Sequence, residues 1–167
     1  MKQTVAENLV ALLKARNMTC ATAESCTGGG VGSAITSVPG SSAVFAGGVI
    51  SYSNDVKRDV LGVSESNLAR FGAVSSQVAA QMADGVRRLL KTDLAVSLTG
   101  IAGPDGGSDE KPVGLVWFGL STPQGVRTEK AIFRGDREAV RSSAITHALG
   151  MLTVAALTAV STKHLKL

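Results

Sequence analysis

The chain has 167 residues, with 17 Lys plus Arg against 13 Asp plus Glu, a net charge of +4, 44% apolar and 18% charged residues. This balance suits one globular domain over residues 1–167 with a sizeable core and excludes a disordered chain, which is poor in apolar residues. Two Cys and two His exclude a disulfide framework and a four-cysteine zinc site, argue against a multi-histidine metal centre, and fit a reduced, cytoplasmic setting.

Residues 1–16 carry charges where a secretory signal would be apolar, and instead place Val5, Leu9, Leu12 and Leu13 at helical spacing. A β-prone segment, Thr19 to Ala23, runs into Glu24-Ser25-Cys26-Thr27 and Gly28-Gly29-Gly30, after which Val31 to Thr36 reads as helix. A second strand spans Val44 to Tyr52, and Asn54 then caps a short helix carrying Lys57. A longer helix from Ser75 to Lys91 turns Val78, Met82, Val86 and Leu89 or Leu90 inward.

Leu94 to Leu98 is a compact apolar strand leading into the loop Thr99 to Gly107, which holds four glycines and one proline in nine residues. Val113 to Ser121 and Val126 to Phe133 form a hairpin about Thr122-Pro123-Gln124-Gly125, and a closing helix runs from Asp136 to about Leu157. The longest apolar run, Ala148 to Val160, is interrupted by Thr and Gly and is short for a membrane span, so a soluble protein is expected. Strands alternating with helices, then a hairpin, predict a single three-layer α/β/α domain with a mixed, mostly parallel sheet.

Ser25 at the junction of strand and glycine-led helix has a hydroxyl near free N–H groups of Cys26, Thr27 and Gly28, which can hold an oxyanion; the plainer role there is a helix cap. Cys26 is an alternative nucleophile, ranked below Ser25 because the only histidine available as its base is His147, mid-helix; His164 lies in the last few residues, where chains usually fray. Lys57, five residues after the lone Tyr52, can serve as a base if burial or the neighbouring Arg58 lowers its pKa; the commoner alternative is an exposed lysine paired with Asp55 or Asp59. The glycine loop lies beyond a buried strand, where α/β proteins bind ligands. It lacks the ending of a phosphate-binding P-loop. Arg137 and Arg141, one turn apart, can grip a phosphate or carboxylate, or simply lie on a solvated face. Scattered basic residues and few aromatics favour a small anionic ligand over nucleic acid.

Taken together, Thr22 to Gly29 (TAESCTGG), Tyr52-Ser-Asn-x-x-Lys57, Gly72 to Ser75 (GAVS), Thr99 to Gly107 (TGIAGPDGG), Lys111 to Gly114 (KPVG) and Gly135-Asp-Arg137 resemble the CinA C-terminal domain family over nearly the whole chain. Members of that family characterised as enzymes deamidate nicotinamide mononucleotide to nicotinate mononucleotide and ammonia. The resemblance implies catalytic Ser25, Tyr52 and Lys57, with Lys57 as base and Tyr52 relaying or orienting the proton. It implies substrate contacts from Ser42, Thr99, Gly100 and Arg137, besides the amides of Cys26, Thr27 and Gly28. No metal or organic cofactor is implied, nor any nucleic-acid or membrane partner, and a homodimer is expected. A catalytically silent nucleotide-binding or regulatory module is the alternative.

Overall fold

The computed structural model describes residues 3–159; His164 lies outside them. Helix α1 (Val5–Ala15) opens with a capping box in which Thr4 Oγ1 accepts from Glu7 N and Glu7 Oε2 accepts from Thr4 N. Its buried face is Ala6, Leu9, Val10 and Leu13, whereas Val5 is exposed and Leu12 only partly buried. The inward stripe is therefore rotated from the expected one, because the i, i+3, i+4, i+7 series starts at Ala6.

Five strands follow: β1 (Cys20–Glu24), β2 (Phe45–Ile50), β3 (Leu94–Gly100), β4 (Leu115–Thr122) and β5 (Gly125–Ile132). They lie in the order β2-β1-β3-β4-β5, with β1 parallel to both β2 and β3, and β4 antiparallel to both β3 and β5. The sheet is mixed, as expected; two of its neighbour pairs are parallel and two antiparallel. Thr99 and Gly100 belong to β3, so the glycine-rich loop starts at Ile101, two residues later than its composition suggests.

Alternation along β3 divides the core. Leu94, Val96 and Leu98 join the cluster shared with α1, α2 (Gly30–Thr36) and α6 (Arg137–Thr158), while Ala95 faces the cluster of α5 (Ser76–Leu90), including Val78, Met82 and Val86. Fully buried Leu152 and Phe118 each contribute about 2–3 kcal/mol of apolar transfer. On the α5 face small residues set the spacing: Ser97 Oγ donates to Ala79 O at 2.6 Å, and a Cβ on Gly119 would stand 2.2 Å from that same carbonyl oxygen. Leu89 is exposed and Leu90 packs inward.

Two short helices complete the α5 side. In α3 (Asn54–Asp59) the cap is Ser53, one position before the expected Asn54; its Oγ accepts from Val56 N at 3.3 Å, and Asn54 is the first helical residue. Helix α4 (Glu65–Phe71), capped by Ser64, has no buried residue and so leaves no hydrophobic period to read in the sequence. At 22 residues α6 is long and apolar enough to cross a membrane by length and composition; Val140, Ala144, Ala148, Leu152 and Ala156 of that helix are buried in the core.

Candidate active site

Strand β1 ends at Glu24, and the chain turns through Ser25–Gly29 before α2 begins at Gly30. Gly28 (φ 59) and Gly29 (φ 96) supply the left-handed backbone that lets the turn fold back on β1. The buried Glu24 carboxylate occupies the start of α2: Oε2 accepts from Thr27 Oγ1 at 2.6 Å and Val31 N at 3.0 Å, and Oε1 accepts from Gly32 N at 2.9 Å. A carboxylate there is favoured by the helix dipole and by the unpaired first amides. Glu24 was not singled out from the sequence; its signal is a carboxylate seven residues ahead of Val31 across a glycine run.

This arrangement places the oxyanion donors differently from the sequence expectation. The first amides of α2 are taken by Glu24, and Gly28 N donates to Ser25 O at 3.1 Å. The amides of Cys26 and Thr27 donate to no other residue among the described residues, and they follow Ser25 in the turn. Arg141 Nη2 donates to Thr27 O at 3.1 Å, which steadies the turn from behind.

Lys57 is brought to Ser25 from the last turn of α3. The side chain is 1% exposed, and Nζ lies 3.2 Å from Ser25 Oγ, 2.7 Å from Ser51 O and 3.2 Å from Tyr52 O. Burial pushes the Lys57 amine below the usual lysine value. A neutral amine has two N–H donors and one lone pair; with the two carbonyls accepting, the lone pair is left for the Ser25 hydroxyl proton. Asp55 and Asp59 pair with exposed Arg58 instead of Lys57, so the expected alternative of a surface ion pair falls to the neighbouring residue.

A cavity of about 280 Å³ opens above this pair. Of the sequence-derived site residues, Ser25, Cys26, Tyr52, Lys57, Thr99, Gly100 and Arg137 line it. Thr27 and Gly28 do not: the Thr27 hydroxyl is spent on Glu24 and Gly28 faces outward. Ser42 stands exposed in the 3-10 turn Ser41–Ala43 and does not line the cavity. Asn54 and Asp105, given no role from the sequence, do line it.

The remaining walls are fixed from three sides. Thr99 Oγ1 donates to Ala73 O at 2.8 Å, and Lys111 Nζ donates to Phe71 O at 2.6 Å, tying β3 and the glycine loop to the segment between α4 and α5. Arg137, the first residue of α6, donates from Nη1 to Gly103 O at 2.8 Å and from Nη2 to the Tyr52 phenol oxygen at 3.2 Å. Arg137 thus faces the cavity and Arg141 serves the turn.

Cys26 borders the cavity, but burial pushes its thiol up to about 11. His147 does not reach it as a base: its Nε2 pairs with Glu129 on β5, and its ring packs against Phe118 and Phe133. The arrangement offers a serine hydroxyl, an amine whose hold on its proton is weakened by burial, two main-chain donors next to the serine and a guanidinium at the mouth, a set suited to acyl transfer from an anionic amide or ester.

Known proteins resemble this chain over most of its length. The CinA C-terminal domain description matches residues 2–156. The nicotinamide-nucleotide amidohydrolase PncC of Escherichia coli is 50% identical over 149 residues, 89% of this chain and 90% of that protein. A competence-damage inducible protein of Caldanaerobacter subterraneus subsp. tengcongensis is 51% identical over 146 residues, 87% of this chain. The chain spans about a third of the length of such longer relatives, 35% and 31% in two cases. Among solved structures, a competence/damage inducible protein from Agrobacterium tumefaciens superposes with a TM-score of 0.86 at 40% identity, over 95% of this chain and 99% of that one. A CinA superfamily protein from Klebsiella pneumoniae gives 0.88 at 35% identity, over 92% of this chain and 96% of that one.

Proposed function

The chain belongs to the CinA C-terminal domain family, and from that premise we propose that it hydrolyses the carboxamide of nicotinamide mononucleotide, giving nicotinate mononucleotide and ammonia in pyridine nucleotide recycling. The observation that carries this reading is the buried 3.2 Å contact between Lys57 Nζ and Ser25 Oγ, in a chain half identical over most of its length to an amidohydrolase of that name.

Neutral Lys57 takes the Ser25 proton as Oγ attacks the carboxamide carbon. The amides of Cys26 and Thr27 are placed to donate to the oxyanion of the tetrahedral adduct. The C–N bond then breaks, and protonated Lys57 returns its proton to the departing nitrogen, which leaves as ammonia. Water attacks the resulting ester, its proton passes to Lys57 and on to Ser25 Oγ, and the free acid departs. Ser51 O and Tyr52 O hold Nζ in place in both half-reactions. Thr99 and Gly100 form the wall beside the ring, and Arg137 at the mouth meets the 5′-phosphate. The reading needs no metal or organic cofactor.

The same reading takes the protein as a cytoplasmic homodimer. Support for self-association comes from β2, which lies at one edge of the sheet with Ile50 56% exposed beside Tyr52; sedimentation velocity checks it.

The deciding assay is ammonia release from the mononucleotide by the purified protein. Turnover is expected, and its loss in Ser25→Ala with the fold retained. Calorimetric binding of the mononucleotide with no ammonia release would support the silent nucleotide-binding module instead.

A further inference from the structure

Tyr52 meets the catalytic pair through its main chain and the cavity mouth through its side chain. Its carbonyl oxygen accepts from Lys57 Nζ at 3.2 Å. Its phenol oxygen accepts from Arg137 Nη2 at 3.2 Å, and the phenol makes no hydrogen bond to Ser25 or Lys57 among the described residues. The ring is 62% exposed, unlike Lys57 at 1%, so it stands at the rim and not at the buried floor where a proton must move.

Arg137 is held at two points that are distant in sequence: Gly103 in the loop after β3, and Tyr52 between β2 and α3. A guanidinium carries five N–H donors in a rigid fork. These two bonds leave three without an acceptor among the described residues. An unanchored arginine at a helix start would sample many rotamers, and fixing it on binding would cost side-chain entropy. Here Gly103 and Tyr52 hold the fork in place before a ligand arrives.

We infer that Tyr52 is a positioning residue for Arg137, acting on the anionic end of the substrate and not on the Ser25 proton. The phenol holds one arm of the guanidinium, so the remaining donors keep a fixed direction over the cavity. The inference deepens the deamidase reading and rests on it for the identity of the anion. Its consequence is selectivity: Tyr52 favours a phosphorylated amide over the same amide without phosphate.

The test compares nicotinamide mononucleotide with nicotinamide riboside in Tyr52→Phe. For the mononucleotide kcat/KM should fall about two- to tenfold, the range of one lost hydrogen bond, carried by KM. The fall should be at least threefold smaller for the riboside, with the acidic limb of the pH profile unmoved. In a Ser25→Ala background, calorimetry should show mononucleotide Kd weakened by the same factor. Tyr52→Phe should add nothing once Arg137→Gln is present, since coupled residues do not act additively. A kcat loss of tenfold or more at constant KM, a shifted pH limb or an unchanged Kd would each overturn the inference. If the unsubstituted protein binds the mononucleotide but releases no ammonia, the deamidase reading fails and the Kd comparison still decides the part played by Tyr52. Absence of binding at millimolar mononucleotide overturns both.

Discussion

Lys57→Met keeps a long unbranched side chain in the space that Lys57 fills and removes the amine. Lys57 is 1% exposed, and burial sets its amine below the usual 10.5. The unfolded chain binds that proton with ordinary affinity. Between the lowered folded value and 10.5 the unfolded state therefore holds more protons, and the stability of the unsubstituted protein rises with pH through that window. Below the folded value both states are protonated, and the cost of burying the ammonium is felt in full. Each unit of lowering corresponds to about 1.4 kcal/mol, which in a chain of this size moves Tm by roughly 3–6 °C. The variant lacks this titration. Its Ser51 and Tyr52 carbonyls lose a donor, which costs about 1–3 kcal/mol each but does not vary with pH. Thermal unfolding of both proteins from roughly pH 6 to pH 10 should thus show the Tm difference, unsubstituted minus variant, growing with pH. Activity of the variant should be lower by about 10²–10⁴, the worth of a general base. A flat Tm difference over that range would refute the reasoning and remove Lys57 as the base.

Glu24→Gln replaces two accepting oxygens by one oxygen and one amide donor, which must face an N–H or a hydroxyl already pointing at it. Urea unfolding should show a loss of about 2–3 kcal/mol, with activity reduced because the Ser25 turn slackens. Cys26, its thiol raised to about 11 by burial, is about one-thousandth thiolate at pH 8. It should react with iodoacetamide far more slowly than a free thiol, and Cys26→Ser should retain ammonia release; loss of activity in that variant with the fold intact would restore the cysteine as a candidate nucleophile.

How much of the site could be read from the chain depended on whether the needed partner was local. At Ser25, between a β-prone segment and three glycines, a helix cap is the plainer reading of position alone, and only the family resemblance points to a nucleophile. Lys57 is not separable in the sequence from a surface lysine, since its amine is enclosed by Ser51, Tyr52 and Ser25, the last of these 32 residues away. The role of Glu24 was hidden for the same reason: its acceptor duty appears only once Gly28 and Gly29 bend α2 back onto it. Helix α4 has no buried face to give it a period, and the face of α1 was misplaced at Val5 because apolar type alone does not say which turn meets the core. Strong periodic elements such as α5 and the hairpin of β4 and β5 emerged within two residues of their observed bounds.

Ser25 N donates to Leu98 O at 3.0 Å, so Ser25 is fastened to β3 as well as to its own turn. Ser25, Lys57, Thr99 and Arg137, from four separate segments, line one cavity. A partly folded chain that has its helices but not the register of β1 on β3 would therefore hold every side chain of the proposed site without the site itself. Return of turnover during refolding becomes a clock for closure of the parallel half of the sheet, a step made slow by the long loops it must close.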